Sequence, residues 1–224
     1  MWPGAFILRL TPETQDWLLD TRCRAVKSLH HDPAFWTRYK AAVPQSYLWG
    51  RYYWSSELQD KLRTWEYQTV AGNMVADLLV ATNLCPYDAL LGPNEYAPEW
   101  ISDLEWLRVV AVEKEFAAAA HSIGKDYWAL SMSVGNLPPD WVVAELAKDS
   151  NITGISLHLY GLEAPIKNMP FLERYRAFID SCPLPILIGE TGRDGWHENI
   201  GWQKQGVSDQ QITDEMRWLT ENLP

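Results

Sequence analysis

Seven short apolar runs alternate with helix-forming segments along the chain, and few folds accept that order. The runs are GAFILRL, RAVKSLH, SYLWGRYYW, YDALLGPNE, DYWALSMSVG, ITGISLHLYG and LPILIGETG. Each is rich in Ile, Leu, Val and Tyr, as expected of strands covered on both faces. Such alternation predicts a parallel α/β sheet, either doubly wound or curled into a (β/α)8-type barrel. Periodicity alone does not separate the two.

Helix start signals support the segments in between. Thr11-Pro12 and Asp32-Pro33 each set a capping side chain before a proline, whose fixed φ and missing N–H suit the first helical position. Ser208 with Gln211 has the spacing of a capping box. Leu58, Leu62, Trp65, Val70, Met74 and Leu78 recur at mostly three- and four-residue steps, which predicts an amphipathic helix after the third strand. No linker rich in Gly, Ser or Pro divides the 224 residues, so residues 1–224 are read as one barrel domain.

Charge and composition narrow the partners. A formal net charge of −10 opposes phosphate backbones and anionic membranes, so neither nucleic acid nor membrane is an expected partner. No stretch approaches the roughly 18 apolar residues of a membrane span, and the apolar run in MWPGAFILRLTPETQ is too short for an export signal. A soluble protein without a visible export signal is the expectation, its compartment read as cytoplasmic or unknown. The thirteen Trp and ten Tyr mostly serve the core, but flat rings near a cleft also suit the apolar faces of sugars. Cys23, Cys85 and Cys182 stand far apart without a CxxC and read as free thiols. No G-x-G-x-x-G, P-loop or G-x-S-x-G occurs, and no cofactor is expected.

Chemistry in either α/β architecture gathers at the carboxyl edge of the sheet. Three strands end there in groups able to handle protons: Asn94-Glu95 after the fourth, His158 and Tyr160 on the sixth, and Glu190 after the seventh. Glu190 follows Ile186 and Ile188 at period two and is expected to share their face, as His158 shares one with Tyr160. Two carboxyl groups at one sheet edge suit glycoside hydrolysis, in which one protonates the leaving oxygen while the other attacks or activates water.

GPNEY, HLY and LIGETG, in that order and at the fourth, sixth and seventh strands, resemble the barrel glycoside hydrolases of clan A, the 4/7 type. With the AVK second strand, the GR third strand and a Trp-rich loop after the seventh, the chain is similar to bacterial hydrolase-like barrels of uncharacterised substrate. The resemblance runs over essentially the whole chain. It implies a retaining hydrolase of an oligo- or polysaccharide with Glu95 as general acid/base and Glu190 as nucleophile. It further implies that Asn94 donates to the sugar 2-hydroxyl, Tyr160 fixes the charge state of the nucleophile and His158 lines the pocket. The negative charge of Glu190 would then favour a proton on Glu95.

The departures from the pattern shape further expectations. Tyr96 stands where many members have proline and would form an aromatic wall. The second strand lacks the usual arginine, for which Lys27 or Arg51 would substitute, Arg51 being otherwise a structural ion-pair residue. No eighth strand follows the last helix, which leaves a truncated barrel, a fragment, or an exposed sheet edge open to a homodimer. The loop from Gly192 to Gly206 holds Asp194, His197 and Glu198 but lacks metal-ligand spacing, so no metal is expected there. It reads as a substrate loop with Trp196 and Trp202 as sugar platforms. A sugar-binding barrel without activity and an inverting hydrolase are the alternatives.

Overall fold

The computed structural model describes residues 4–162, 164–194 and 207–223. Among them are seven strands: β1 (Ala5–Ile7), β2 (Ala25–Ser28), β3 (Tyr47–Arg51), β4 (Ala89–Leu91), β5 (Asp126–Met132), β6 (Gly154–Leu162) and β7 (Ile186–Asp194). All are parallel and pair in chain order, β1 beside β2 through to β6 beside β7. Each begins within one of the apolar runs, and only β6 and β7 extend past theirs, by one and two residues. The fold is a nearly closed TIM-like barrel of seven strands, with no eighth strand among the described residues.

The helices are α1 (Pro12–Thr21), α2 (Pro33–Ala42), α3 (Ser56–Asp60), α4 (Tyr67–Thr82), α5 (Asp103–Ser122), α6 (Asp140–Leu146), α7 (Leu172–Ser181) and α8 (Asp209–Asn222). Their caps follow the sequence. Thr11 accepts the Thr14 N–H, Asp32 accepts those of Ala34 and Phe35, and Ser208 forms the expected box with Gln211. No helix is long and apolar enough to cross a membrane among the described residues.

One expected helix is broken. Between α3 and α4 lies a 3-10 turn, Lys61–Arg63, and Thr64 is extended. The Thr64 hydroxyl accepts the Glu66 N–H, offering the backbone a local partner in place of helix bonding. Trp65, expected on the buried stripe, is 82% exposed as a result.

Two apolar layers follow from the alternation of side chains along each strand. The larger, which includes Val26, Leu48, Leu90, Trp36, Trp106 and Phe116, packs strands against helices. The smaller fills the barrel interior, where Trp49, Ala89 and Leu91 meet Ala25, Tyr47, Trp128 and Leu187. Continuing two residues along β2 and β3 from Ala25 and Trp49 brings Lys27 and Arg51 into the same interior, above this plug.

The seventh strand reaches the interior by a different route from the one its period predicts. Ile186 and Ile188 pack toward the helices, whereas Leu187 faces inward. The pairing then shifts, from Leu157 opposite Ile188 to His158 opposite Glu190, which leaves Gly189 as the extra residue. This bulge changes the parity of the strand and turns Glu190 inward. Glycine is required there, since a Cβ on Gly189 would lie 2.4 Å from Ser156 Oγ. Gly189→Ala is expected to cost about 1–3 kcal/mol in urea denaturation, and Ser156→Gly in the same chain should recover part of that loss.

Candidate active site

The site is built around Glu190, 11% exposed at the inner mouth of the barrel. Its Oε1 accepts Lys27 Nζ of β2 at 2.6 Å and Arg51 Nη1 of β3 at 3.1 Å. Its Oε2 accepts the Tyr160 hydroxyl of β6 at 2.8 Å. The Phe6 ring of β1 lies under both cations, 4.0 Å from Lys27 Nζ and 5.5 Å from the Arg51 guanidinium carbon. Side chains of β2, β3 and β6 thus meet the carboxylate carried by β7, above a ring from β1.

Electrostatics follow from this packing. Burial pushes the Glu190 carboxyl up, but Lys27, His158 and Arg51 more than offset it and bring it down to about 2. Burial pulls the Lys27 ammonium down to about 7, with Arg51 adding repulsion and Glu190 opposing both. Arg51 is lowered mainly by burial, again against the pull of Glu190. Near neutrality Glu190 is an anion that Arg51 neutralises throughout and Lys27 does so in the protonated part of its population.

Glu95 sits across the mouth, past the end of β4. Its backbone is left-handed, with φ 54°, and its N–H donates to Ser131 O at 3.0 Å. His158 Nδ1 lies 2.6 Å from Glu95 Oε1, while Nε2 of the same ring faces Glu190 Oε1 at 3.7 Å. One imidazole therefore stands between the two carboxylates. It is buried, and burial holds it below the ordinary histidine value against the opposing pull of both glutamates.

Asn94 is held from two sides. Its Oδ1 accepts Arg51 Nη1 at 2.5 Å and its N–H donates to Gln59 Oε1, also at 2.5 Å. With Oδ1 committed, the amide nitrogen is the group it can offer a ligand. A cavity of about 190 Å³ opens beside these residues, lined in part by Arg51, Tyr53, Gln59, Asp60, Asn94 and Glu95.

The structure thus brings together Glu95, Glu190, Asn94, His158, Tyr160 and Arg51. Tyr96, expected as an aromatic wall, borders the same cavity; it is only 2% exposed, and its hydroxyl donates to Glu113 Oε1 at 2.7 Å. Trp196 and Trp202, like His197 and Glu198, lie outside the described residues. Among the described residues no cluster of three or more His, Cys, Asp or Glu has the arrangement of a metal site. Gln59 and Glu113 went unrecognised in the sequence, although each is a polar residue within an apolar helical pattern.

No protein-family model matches the chain, and no curated protein does. Solved structures with the same fold include the GH2 β-galacturonidase of Eisenbergiella tayi bound to galacturonate, with TM-score 0.63 at 13% identity. That match covers 99% of this chain, which spans 41% of the galacturonidase. A GH128 endo-β-1,3-glucanase from Sorangium cellulosum aligns with TM-score 0.57 at 13% identity, over 99% of this chain and 84% of its own. The D-psicose 3-epimerase of Clostridium cellulolyticum H10 aligns with TM-score 0.56 at 12% identity, over 98% and 97%. The chain has the TIM-like barrel fold that these glycoside hydrolases and the epimerase share. At such identities the likeness is one of fold.

Removing one cation tests the electrostatics of the site. Lys27→Met is expected to raise the Glu190 pKa from about 2 toward the ordinary carboxylate range, read by NMR titration of 13C-labelled glutamate. Glu190 is depressed on folding, so its stabilisation is present above the unfolded value of 4.5 and lost as pH falls through about 2. The acid-denaturation midpoint of the variant should move to higher pH.

Proposed function

We propose that the protein is a retaining glycoside hydrolase whose catalysis is carried on this one barrel domain. The observation behind the reading is a buried carboxylate, Glu190, held as an anion by Lys27, Arg51 and Tyr160 and facing a second carboxyl, Glu95, across His158. Oε1 of Glu190 is occupied by two cations, so Oε2, held by the Tyr160 hydroxyl, is the attacking atom. It bonds to the anomeric carbon as the glycosidic C–O bond breaks, and Glu95 gives its proton to the departing oxygen. Glu95 then takes a proton from water, whose oxygen replaces Glu190 on the sugar and frees the carboxylate. The Asn94 amide donates to the sugar 2-hydroxyl, and the cavity beside Asn94 and Glu95 takes a sugar unit of an oligo- or polysaccharide.

The charge state of Glu190 favours this role over two others. A general base works best with a pKa near the working pH, and a carboxyl at about 2 is a poor base for activating water, as an inverting mechanism requires. The same weakness counts against abstraction of a proton from carbon, the chemistry of an epimerase. A nucleophile needs only to be ionised and placed.

Aryl glycosides of several sugars, with reducing-end release from common polysaccharides, test the reading. Glu190→Ala and Glu95→Gln should each lower kcat by about 10³-fold or more. Azide should restore Glu190→Ala as a glycosyl azide, and NMR of the first-formed product should show retained anomeric configuration. Sugar binding without turnover in the unaltered protein would favour a carbohydrate-binding barrel instead.

A further inference from the structure

A fully buried polar cluster underlies the turn that carries Glu95. Glu113 of α5 is 0% exposed among Val109, Val110, Val112 and Phe116 of the same helix. Its Oε1 accepts the Tyr96 hydroxyl at 2.7 Å and its Oε2 the Tyr127 hydroxyl at 2.6 Å. The backbone N–H of Leu130 acts on the same carboxyl. An apolar side chain at this position would avoid the cost of burying a charge. What the carboxyl supplies is a pair of directed anchors.

The two anchors differ in how directly they reach Glu95. Tyr96 is its immediate neighbour in the chain. Tyr127 belongs to β5, the strand on which Leu130 and Ser131 take φ of 77° and 44° and on which Ser131 O accepts the Glu95 N–H. Three left-handed non-glycine residues in two touching segments cost of order 1–3 kcal/mol each and persist only where their surroundings hold them. The cluster has no slack against β4, since a Cβ on Gly92 would lie 2.0 Å from the Tyr127 hydroxyl and 3.4 Å from Glu113 Oε2.

We propose that Glu113 is a positioning residue which, through the Tyr96 hydroxyl, pins the left-handed turn at Glu95 and so holds the Glu95 carboxyl against His158. The catalytic part of this inference rests on the proposed role of Glu95, but the positioning does not. Without the tether, residue 95 relaxes to the extended backbone that glutamate prefers, and its carboxyl leaves the imidazole. Burial brings Glu113 up to about 7, against the Tyr127, Tyr96 and Leu130 donors, while burial beside Glu113 holds both phenols protonated. Ionised, Glu113 accepts from both tyrosines; protonated, one oxygen must donate instead. Its folded pKa is raised, so its stabilising contribution is present below the unfolded value of 4.5 and lost as pH rises through about 7.

The test compares Tyr96→Phe, Tyr127→Phe and Glu113→Gln. It reads the 15N resonances of the His158 ring, which report the Glu95 contact whether or not the protein hydrolyses anything. Tyr96→Phe is expected to shift the His158 Nδ1 resonance and lower kcat on an aryl glycoside by about 10- to 100-fold, with KM nearly unchanged. Tyr127→Phe, which removes the phenol not joined to the Glu95 turn, should lower the melting temperature to a similar extent but leave the resonance and kcat close to the parent. Glu113→Gln should behave as Tyr96→Phe does and flatten the pH dependence of stability near 7. If Glu113→Gln does not fold, the two phenylalanine variants decide. Unchanged His158 resonances in Tyr96→Phe, or equal shifts in both phenylalanine variants, would overturn the proposal and leave the cluster a purely structural one. Absence of turnover in the parent protein would count against the hydrolase reading alone, with the NMR comparison still deciding the role of Glu113.

Discussion

The contact between Glu190 and the two cations Lys27 and Arg51 is the constraint around which the mouth of the barrel is organised. Three charged side chains from β2, β3 and β7 are nearly out of solvent, at 5%, 4% and 11% exposure. Such a group is tolerated only when its members satisfy one another, because breaking it would strand a charge in a medium that solvates it poorly. The strands that carry them are far apart in sheet order, and β1 and β7 share no ladder among the described residues. The sheet must therefore curl until the carboxyl ends of β2 and β3 face that of β7. The ion cluster and the apolar plug of Trp49, Ala89 and Leu91 beneath it thus hold the curvature from inside.

This arrangement divides the two carboxylates by environment. Glu190 is buried with two cations and a phenol, and its negative charge is held across the physiological range. Glu95 is more open, at 38% exposure, and the described residues place no lysine or arginine within ion-pair distance of it. Its partner is a buried imidazole whose surroundings disfavour the cation. The fold thus gives two identical side chains unlike surroundings, one enclosed beside cations and the other open at the mouth.

Much of this was legible in the sequence because it depends on local pattern. The strand positions followed from seven apolar runs, and the helix starts at Thr11, Asp32 and Ser208 from capping residues that act within three positions. Glu95, His158, Tyr160 and Glu190 stood out as polar groups at strand ends. What was not legible depends on contacts between distant segments. The inward turn of Glu190 arises from a bulge at Gly189, and period two alone assigned it to the face of Ile186 and Ile188. The break at Thr64 comes from a side-chain hydrogen bond that competes with helix formation, which hydrophobic spacing does not record. Tyr96 reads as an aromatic wall from its place after Asn-Glu, and it does border the cavity, but the partner of its hydroxyl, Glu113 on a distant helix, was not legible.

That last contact bears on how the site is supported. A proline after Asn-Glu would stiffen the chain through its ring, by fixing its own φ. Tyrosine leaves the backbone torsions free and instead supplies a hydroxyl that reaches Glu113. Stiffness of the turn is thereby moved from covalent geometry to a buried hydrogen bond on α5, a helix on the outer layer of the barrel. A covalent restraint is indifferent to solution conditions, whereas one accepted by a carboxyl brought to about 7 is not. The strained backbone of Glu95, Leu130 and Ser131 then depends on a group remote from any ligand, and the geometry at the mouth is set in part from behind the sheet.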